Sequence, residues 1–136
     1  MLYEPVSTED ENEIADSLER KYDLEERLIK FAVLVINLSE QLPSNHTGNH
    51  IANQLLRSGT SPASNYAEAG GCESRKDFIH KMGICLKELK ETSVWLRILQ
   101  SKQVLTSQLL TPILSENDQL TRIFKSSILT ARKEIK

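Results

Sequence analysis

The sequence has few of the residues that punctuate or cross-link a chain. Five Gly and four Pro in 136 residues leave room for few turns, and aromatics make up only 5%. A β-sandwich or barrel needs many short strands separated by Gly- and Pro-rich turns, so this scarcity argues against that class and for helices. Two cysteines, Cys72 and Cys85, cannot build a disulfide framework and point to reduced thiols. No apolar run approaches the ~20 residues of a membrane span. The longest, 31–36, sits inside a helical pattern. The segment Met1–Asp10 has neither a basic stretch nor an apolar stretch of the secretory kind, so the expected location is cytoplasmic. The sequons at Asn37 and Asn45 then carry no glycan.

Catalytic signatures are missing as well. Gly70-Gly71 is followed by no Gly-Lys-Ser/Thr and preceded by no strand, so it is not a phosphate loop. No GxSxG elbow and no Ser/His/Asp order occurs. His46 and His50 stand four apart, and Cys72 and His80 are conceivable further ligands, but no HExxH-type glutamate accompanies the pair. A metal site needs three or four convergent ligands, so exposed polar residues are the simpler reading. The sequence therefore predicts no enzyme, no metal and no cofactor.

What remains is material for one helical domain. The chain is 39% hydrophobic and 26% charged, enough for a single core. Residues 1–22 are acidic and weakly patterned and read as an arm; Ile14, Leu18 and Tyr22 are spaced by four, which allows part of it to be helical, with too few apolar residues for a core element. A first helix is predicted over 23–42 from Leu24, Leu28, Phe31, Val35, Leu38 and Leu42, with Asp23 as cap and Pro43 as terminator. A second covers 48–69 with Thr47 as candidate cap. Its middle, Ser58-Gly-Thr-Ser-Pro62-Ala-Ser-Asn65, is a poor helix by propensity. Either two short helices break there, or one helix kinks at Pro62 and its small residues admit a close neighbour. Ile51, Leu55, Ser58, Pro62, Tyr66 and Ala69 keep the period and favour the kinked helix. A third helix covers 75–101, capped by Ser74, with Phe78, Met82, Cys85, Leu86, Leu89, Ser93, Leu96 and Leu99 in its stripe. A fourth covers 107–133 behind Thr106; the alternative is a shorter helix capped by Ser115. Four amphipathic helices on short loops predict an all-α, antiparallel up-down four-helix bundle over 23–136.

Cys85 falls on an apolar stripe and reads as a small core residue; Cys72, beside two glycines, reads as exposed. Asn65 and Glu68 stand in the small-residue segment. They would either satisfy carbonyls freed by Pro62 or line a shared site at a subunit interface, and local satisfaction is the commoner use.

One stretch carries a resemblance. Gln54-Leu-Leu-Arg57-Ser58-Gly59-Thr60-Ser61, Asn65-Tyr66, Glu68-Ala69, Ser74-Arg75-Lys76-Asp77-Phe78-Ile79-His80-Lys81, Leu86-Lys87-Glu88-Leu89, Glu91-Thr92 and Trp95-Leu96 form the matching pattern. It resembles the bacterial four-helix-bundle proteins first noticed as reading frames in intervening sequences of 23S ribosomal RNA genes. The accessory variability protein of diversity-generating retroelements is a distant relative. The resemblance spans about residues 23–133 and places Ser58–Asn65 within the second helix. It implies an antiparallel bundle, often assembled as a ring-shaped homopentamer, with no enzymatic activity. Ser61, Asn65, Tyr66 and Glu68 are its packing and polar motif positions.

Two functions are expected from this. The first is a non-catalytic, self-assembling bundle that scaffolds a partner, since Val94, Trp95 and Ile98 exceed the apolar need of one core. The second is an accessory protein binding RNA or DNA through Arg57, Arg75, Lys76, Lys81, Lys87 and Lys90; the retroelement relative uses a basic surface in this way. The formal net charge of −2 does not oppose the second. Residues 1–26 hold ten acidic and two basic side chains, net −8, and residues 27–136 hold nine acidic and fifteen basic, net +6. The acidic arm either folds back on the basic surface or solubilises the chain.

Overall fold

A computed structural model describes residues 8–135, apart from the side chains of residues 10, 14 and 16–22. The described chain forms four helices: α1 Thr8–Glu40, α2 His46–Ala69, α3 Arg75–Lys102 and α4 Ser107–Lys133. Among the described residues there is no strand. The molecule is all-α, a helical bundle.

Helix α1 starts much earlier than the sequence pattern indicated. The acidic arm and the first helix are one element, with no boundary at residue 23. No Gly or Pro interrupts 8–40. The apolar pattern is too thin there to reveal this, and the side chains of Ile14, Leu18 and Tyr22 lie outside the described residues. At its C-terminal end α1 stops at Glu40. Gln41 and Leu42 donate backbone N–H groups to the carbonyls of Leu38 and Ser39, at 3.0 and 3.2 Å, tightening the last turn ahead of Pro43.

Helix α2 is capped by Asn45, not Thr47. The Asn45 side chain accepts from the Gly48 N–H at 2.8 Å, which draws two more residues into the helix. Gly48 is required at this turn because a Cβ there would collide with the Pro43 carbonyl. The helix then runs unbroken through Pro62. Ser58, Gly59 and Pro62 face inward, so the poor-propensity segment is held by packing. A Cβ on Gly59 would stand 2.7 Å from a Val35 methyl, so α1 and α2 touch there because Gly59 has no side chain.

Helix α3 begins behind Ser74, whose hydroxyl accepts from the Asp77 N–H at 3.1 Å. It closes on Gln103 in the left-handed conformation, φ 57°. Helix α4 begins at Ser107, so residues 107–114 are helical and Ser115 is not its cap. Thr106 occupies the cap position without a side-chain hydrogen bond. Pro112 and Gln108 are both exposed, so the Gln108 carbonyl that Pro112 leaves without a helical donor is on the solvent side.

Each helix turns one stripe inward. Leu28, Phe31, Val35 and Leu38 of α1 meet Leu55 of α2, Leu89 and Leu96 of α3, and Leu120 and Phe124 of α4, all essentially inaccessible. Each such side chain contributes about 1.5–3 kcal/mol on burial. Tyr66 stands edge-on to Phe124, ring centres 5.9 Å apart. Helix α1 packs on α2 and α4, and so does α3, while the backbones of α1 and α3 stand diagonally apart across the core. The outer faces of α1 and α3 are therefore on opposite sides of the bundle.

Candidate functional site

The six basic residues singled out from the sequence lie on α2, on α3 and at the start of α3, in two distinct states. Arg57 reaches across from α2 to α3. Its guanidinium donates to Glu88 at 3.0 Å, to the Glu91 carboxylate more closely, and to Gln54 at 3.2 Å. The Glu91 hydrogen bond raises its pKa further above the usual arginine value. Lys81 donates to Glu68 at 2.5 Å, which holds its ammonium above the usual lysine range. Arg75 pairs with Glu134, the residue just past α4, at 2.8 Å. These pairs are exposed, and such pairs contribute little to stability. Lys76, Lys87 and Lys90 project into solvent and take part in no ion pair among the described residues.

The family-motif residues do local work. Asn65 donates to the Ser61 carbonyl at 3.1 Å and to its hydroxyl at 2.8 Å. It thus serves the carbonyl one turn ahead, not the Ser58 carbonyl that Pro62 leaves without an amide donor. Glu68 faces outward to Lys81 and takes no part in the proline segment. Tyr66 is buried on Phe124, and burial raises its pKa.

The bundle interior carries a polar set that the stripes did not reveal. The Thr92 hydroxyl lies 2.9 Å from that of Ser58 and 2.8 Å from the Glu88 carbonyl. One hydroxyl proton cannot serve both acceptors, so Thr92 donates to Glu88 and receives from Ser58. Asn117, fully buried on α4, donates to the Leu89 carbonyl at 3.1 Å and leaves its Oδ1 without a partner. The Cys85 thiol donates to the Pro62 carbonyl at 3.6 Å. Burial pushes its pKa up to about 12, so it stays protonated and unreactive. His50 stands edge-on to Trp95, ring centres 5.8 Å apart. No group of three or more His, Cys, Asp or Glu among the described residues is placed to hold a metal.

An open cleft of about 810 Å³ lies at the end where α2 turns into α3. Tyr66, Phe78 and Ile123 line it, and Arg27, Arg75, Asp23 and Glu73 mix both charges around it. Arg27 is already committed to Glu116 and Gln119 of α4.

The surface holds what the sequence reading passed over. Ile29 and Val33 are 44% and 48% exposed, and Ile36 joins them on the outer side of α1. Val94 and Ile98 are 44% and 41% exposed on the outer side of α3. The α3 pair was legible as apolar surplus. The α1 row hides beside a stronger core stripe, although Ile29, Ala32, Val33 and Ile36 form a second i, i+3, i+4, i+7 series.

The model of one protein family, described as 23S rRNA-intervening sequence protein, matches residues 20–126. The chain belongs to this family. A crystal structure of a protein of unknown function from the S23 ribosomal protein family of Bacteroides thetaiotaomicron is similar at 33% identity, with a TM-score of 0.72. The match covers 77% of this chain and 97% of that one. No curated protein matches the chain. The family match begins inside α1 at residue 20 and ends inside α4, so it takes in the whole of α2 and α3, the Gly59–Val35 contact and the Ser58–Thr92 pair.

Proposed function

We propose that this family member is a non-catalytic, self-assembling helical bundle that serves as a scaffold or accessory factor, built as an antiparallel up-down four-helix bundle with α2 kinked at Pro62. The observation that carries this reading is the pair of apolar rows left on solvent at opposite sides of the bundle. Contiguous exposed apolar side chains at helical spacing mark contact surfaces. A closed ring of identical copies, a homopentamer as the family resemblance implies, would cover both rows in every copy. Size-exclusion chromatography with light scattering tests it: an assembly of several 15.4 kDa chains is expected, and a monomer at micromolar concentration removes the reading.

A second reading is supported by Lys76, Lys87 and Lys90, which stand free on one side of the bundle and suit phosphate contacts. A protein of this kind binds RNA or DNA without sequence preference, because among the described residues no aromatic set is exposed for base stacking. Fluorescence anisotropy with RNA and duplex DNA at two salt concentrations tests it. Binding that weakens steeply with salt supports it, and no binding at low salt ends it.

A further inference from the structure

The two exposed rows match each other in a way that one copy cannot use. On α1, Glu26, Ile29, Val33, Ile36 and Glu40 are spaced three, four, three and four, and so lie along one face. The row runs about 21 Å at 1.5 Å per residue, apolar at the centre and acidic at both ends. On α3, Lys87, Lys90, Val94, Ile98 and Lys102 run a similar length, with Arg97 beside them. That row is apolar at the centre and basic at both ends. All of these charged side chains are exposed, and none is in an ion pair among the described residues. Charge complementarity of this kind fixes register and suppresses like-to-like contact: two α1 rows repel, two α3 rows repel, and α1 against α3 attracts.

The shapes agree with the charges. Val94, Arg97, Ile98 and Ser101, at i, i+3, i+4 and i+7, enclose a shallow hollow on the α3 face with Lys102 at its edge. Four residues at that spacing form the hole of knobs-into-holes packing, and a branched side chain such as Val33 is the knob it accepts.

We infer that the outer face of α1 in one copy docks on the outer face of α3 in the next. The inference rests on the self-assembly reading and names its surfaces. Because α1 and α3 occupy opposite sides of the bundle, the contact uses two different patches and is heterologous. Such contacts do not stop at a dimer; they close into a ring when the angle permits.

Mixing two broken variants tests this directly. Val33→Glu spoils the α1 row and Val94→Glu the α3 row, both at exposed positions that the core does not use. Unchanged far-UV circular dichroism confirms folding. Each variant alone is expected to be a monomer by light scattering, while the wild type is an assembly. An equimolar mixture keeps one intact junction, α1 of Val94→Glu with α3 of Val33→Glu, and is expected to give a heterodimer and nothing larger. A second set checks the charges: Lys87→Glu, Lys90→Glu and Lys102→Glu together are expected to weaken assembly at least tenfold, and adding Glu26→Lys with Glu40→Lys to restore it. If the wild type assembles but either apolar variant still assembles, the surfaces are wrong and self-assembly stands. If both are monomers and the mixture stays monomeric, the heterologous pairing is overturned. A monomeric wild type sinks the self-assembly reading itself.

Discussion

Gly59→Ala is the sharpest test of how this sequence tolerates its weakest helical segment. In an exposed helix the change gains about 1 kcal/mol, because alanine loses less backbone freedom on folding. Here the added methyl would lie 2.7 and 2.9 Å from the two Val35 methyls and 3.0 Å from its Cβ. Val35 is fully buried and branched at Cβ, so it cannot rotate both methyls clear. Overpacking of a filled core costs about 1–3 kcal/mol. With both Val35 methyls in the way, the upper part of that range applies. We expect a net loss of about 1–2 kcal/mol, or a thermal midpoint lower by roughly 3–6 °C at this chain length.

The cycle with Val35→Ala isolates the contact. Alone, Val35→Ala leaves a void and costs about 2 kcal/mol. In the double variant the methyl added at position 59 occupies room that Val35 vacated, so the pair is expected to lose about 1–2 kcal/mol less than the sum. Urea unfolding followed by far-UV circular dichroism, with Trp95 fluorescence as a second probe, measures all four corners. Gly59→Ala more stable than wild type, or a cycle additive within about 0.5 kcal/mol, would refute the close approach of α1 and α2.

Other consequences of the interior are as direct. Asn117→Leu removes an orphaned Oδ1 and fills similar volume, while the Leu89 carbonyl keeps its helical donor; stability is expected to rise by about 1–2 kcal/mol, and a fall would show that the amide is satisfied. Cys72 is expected to react with a disulfide reagent in the native state and Cys85 only on unfolding; two fast thiols would contradict the burial of Cys85. Cys85 and Tyr66 both hold their protons more tightly when folded, because burial raises their pKa values. The Cys85 contribution is complete below its unfolded value and is lost as pH rises from about 9 toward about 12, and that of Tyr66 is lost in the same direction above its ordinary value of 10. The urea midpoint is expected to fall between about pH 8 and about pH 10.5, less steeply in Cys85→Ala; a flat profile refutes the linkage.

The sequence made the helices legible where core stripes were strong, and the reasons for the misses are specific. Helices α3 and α4 follow their apolar period and match within a residue. The four-residue spacing of Ile14, Leu18 and Tyr22 allowed a helix in the acidic segment but not its continuity with the next one, because with no Gly or Pro between 8 and 40 nothing marks a boundary and the apolar period there is thin. The α2 cap moved from Thr47 to Asn45 because Gly48 lets the turn close on the Pro43 carbonyl while its N–H reaches the Asn45 side chain, a local backbone geometry that the apolar period does not contain. Continuity through Ser58–Asn65 was weak by propensity and followed from periodicity and family resemblance; Val35 packing supplies its physical cause. The candidate site was less legible still. A basic residue reads alike whether it is free like Lys87 or spanning two helices like Arg57, since only the fold decides what stands opposite.

Free lysines on α3 also make the two functional readings compete. If α1 of a neighbour covers Lys87 and Lys90, the same ammonium groups cannot hold phosphates. A polyanion then acts as a competitor for the α3 face, and the two equilibria are linked: whatever binds the uncovered copy pulls the assembly apart. The sign of the effect separates the readings. Short duplex RNA added at low salt should lower the assembled fraction in proportion to its occupancy. Raising salt should weaken the RNA contact steeply and the neighbour contact less, since Val33, Val94 and Ile98 contribute apolar burial that screening does not touch. RNA that binds without shifting the assembled fraction places the phosphate contacts away from Lys87 and Lys90, at the start of α3 near Lys76 or along the basic end of α4 at Arg132 and Lys133.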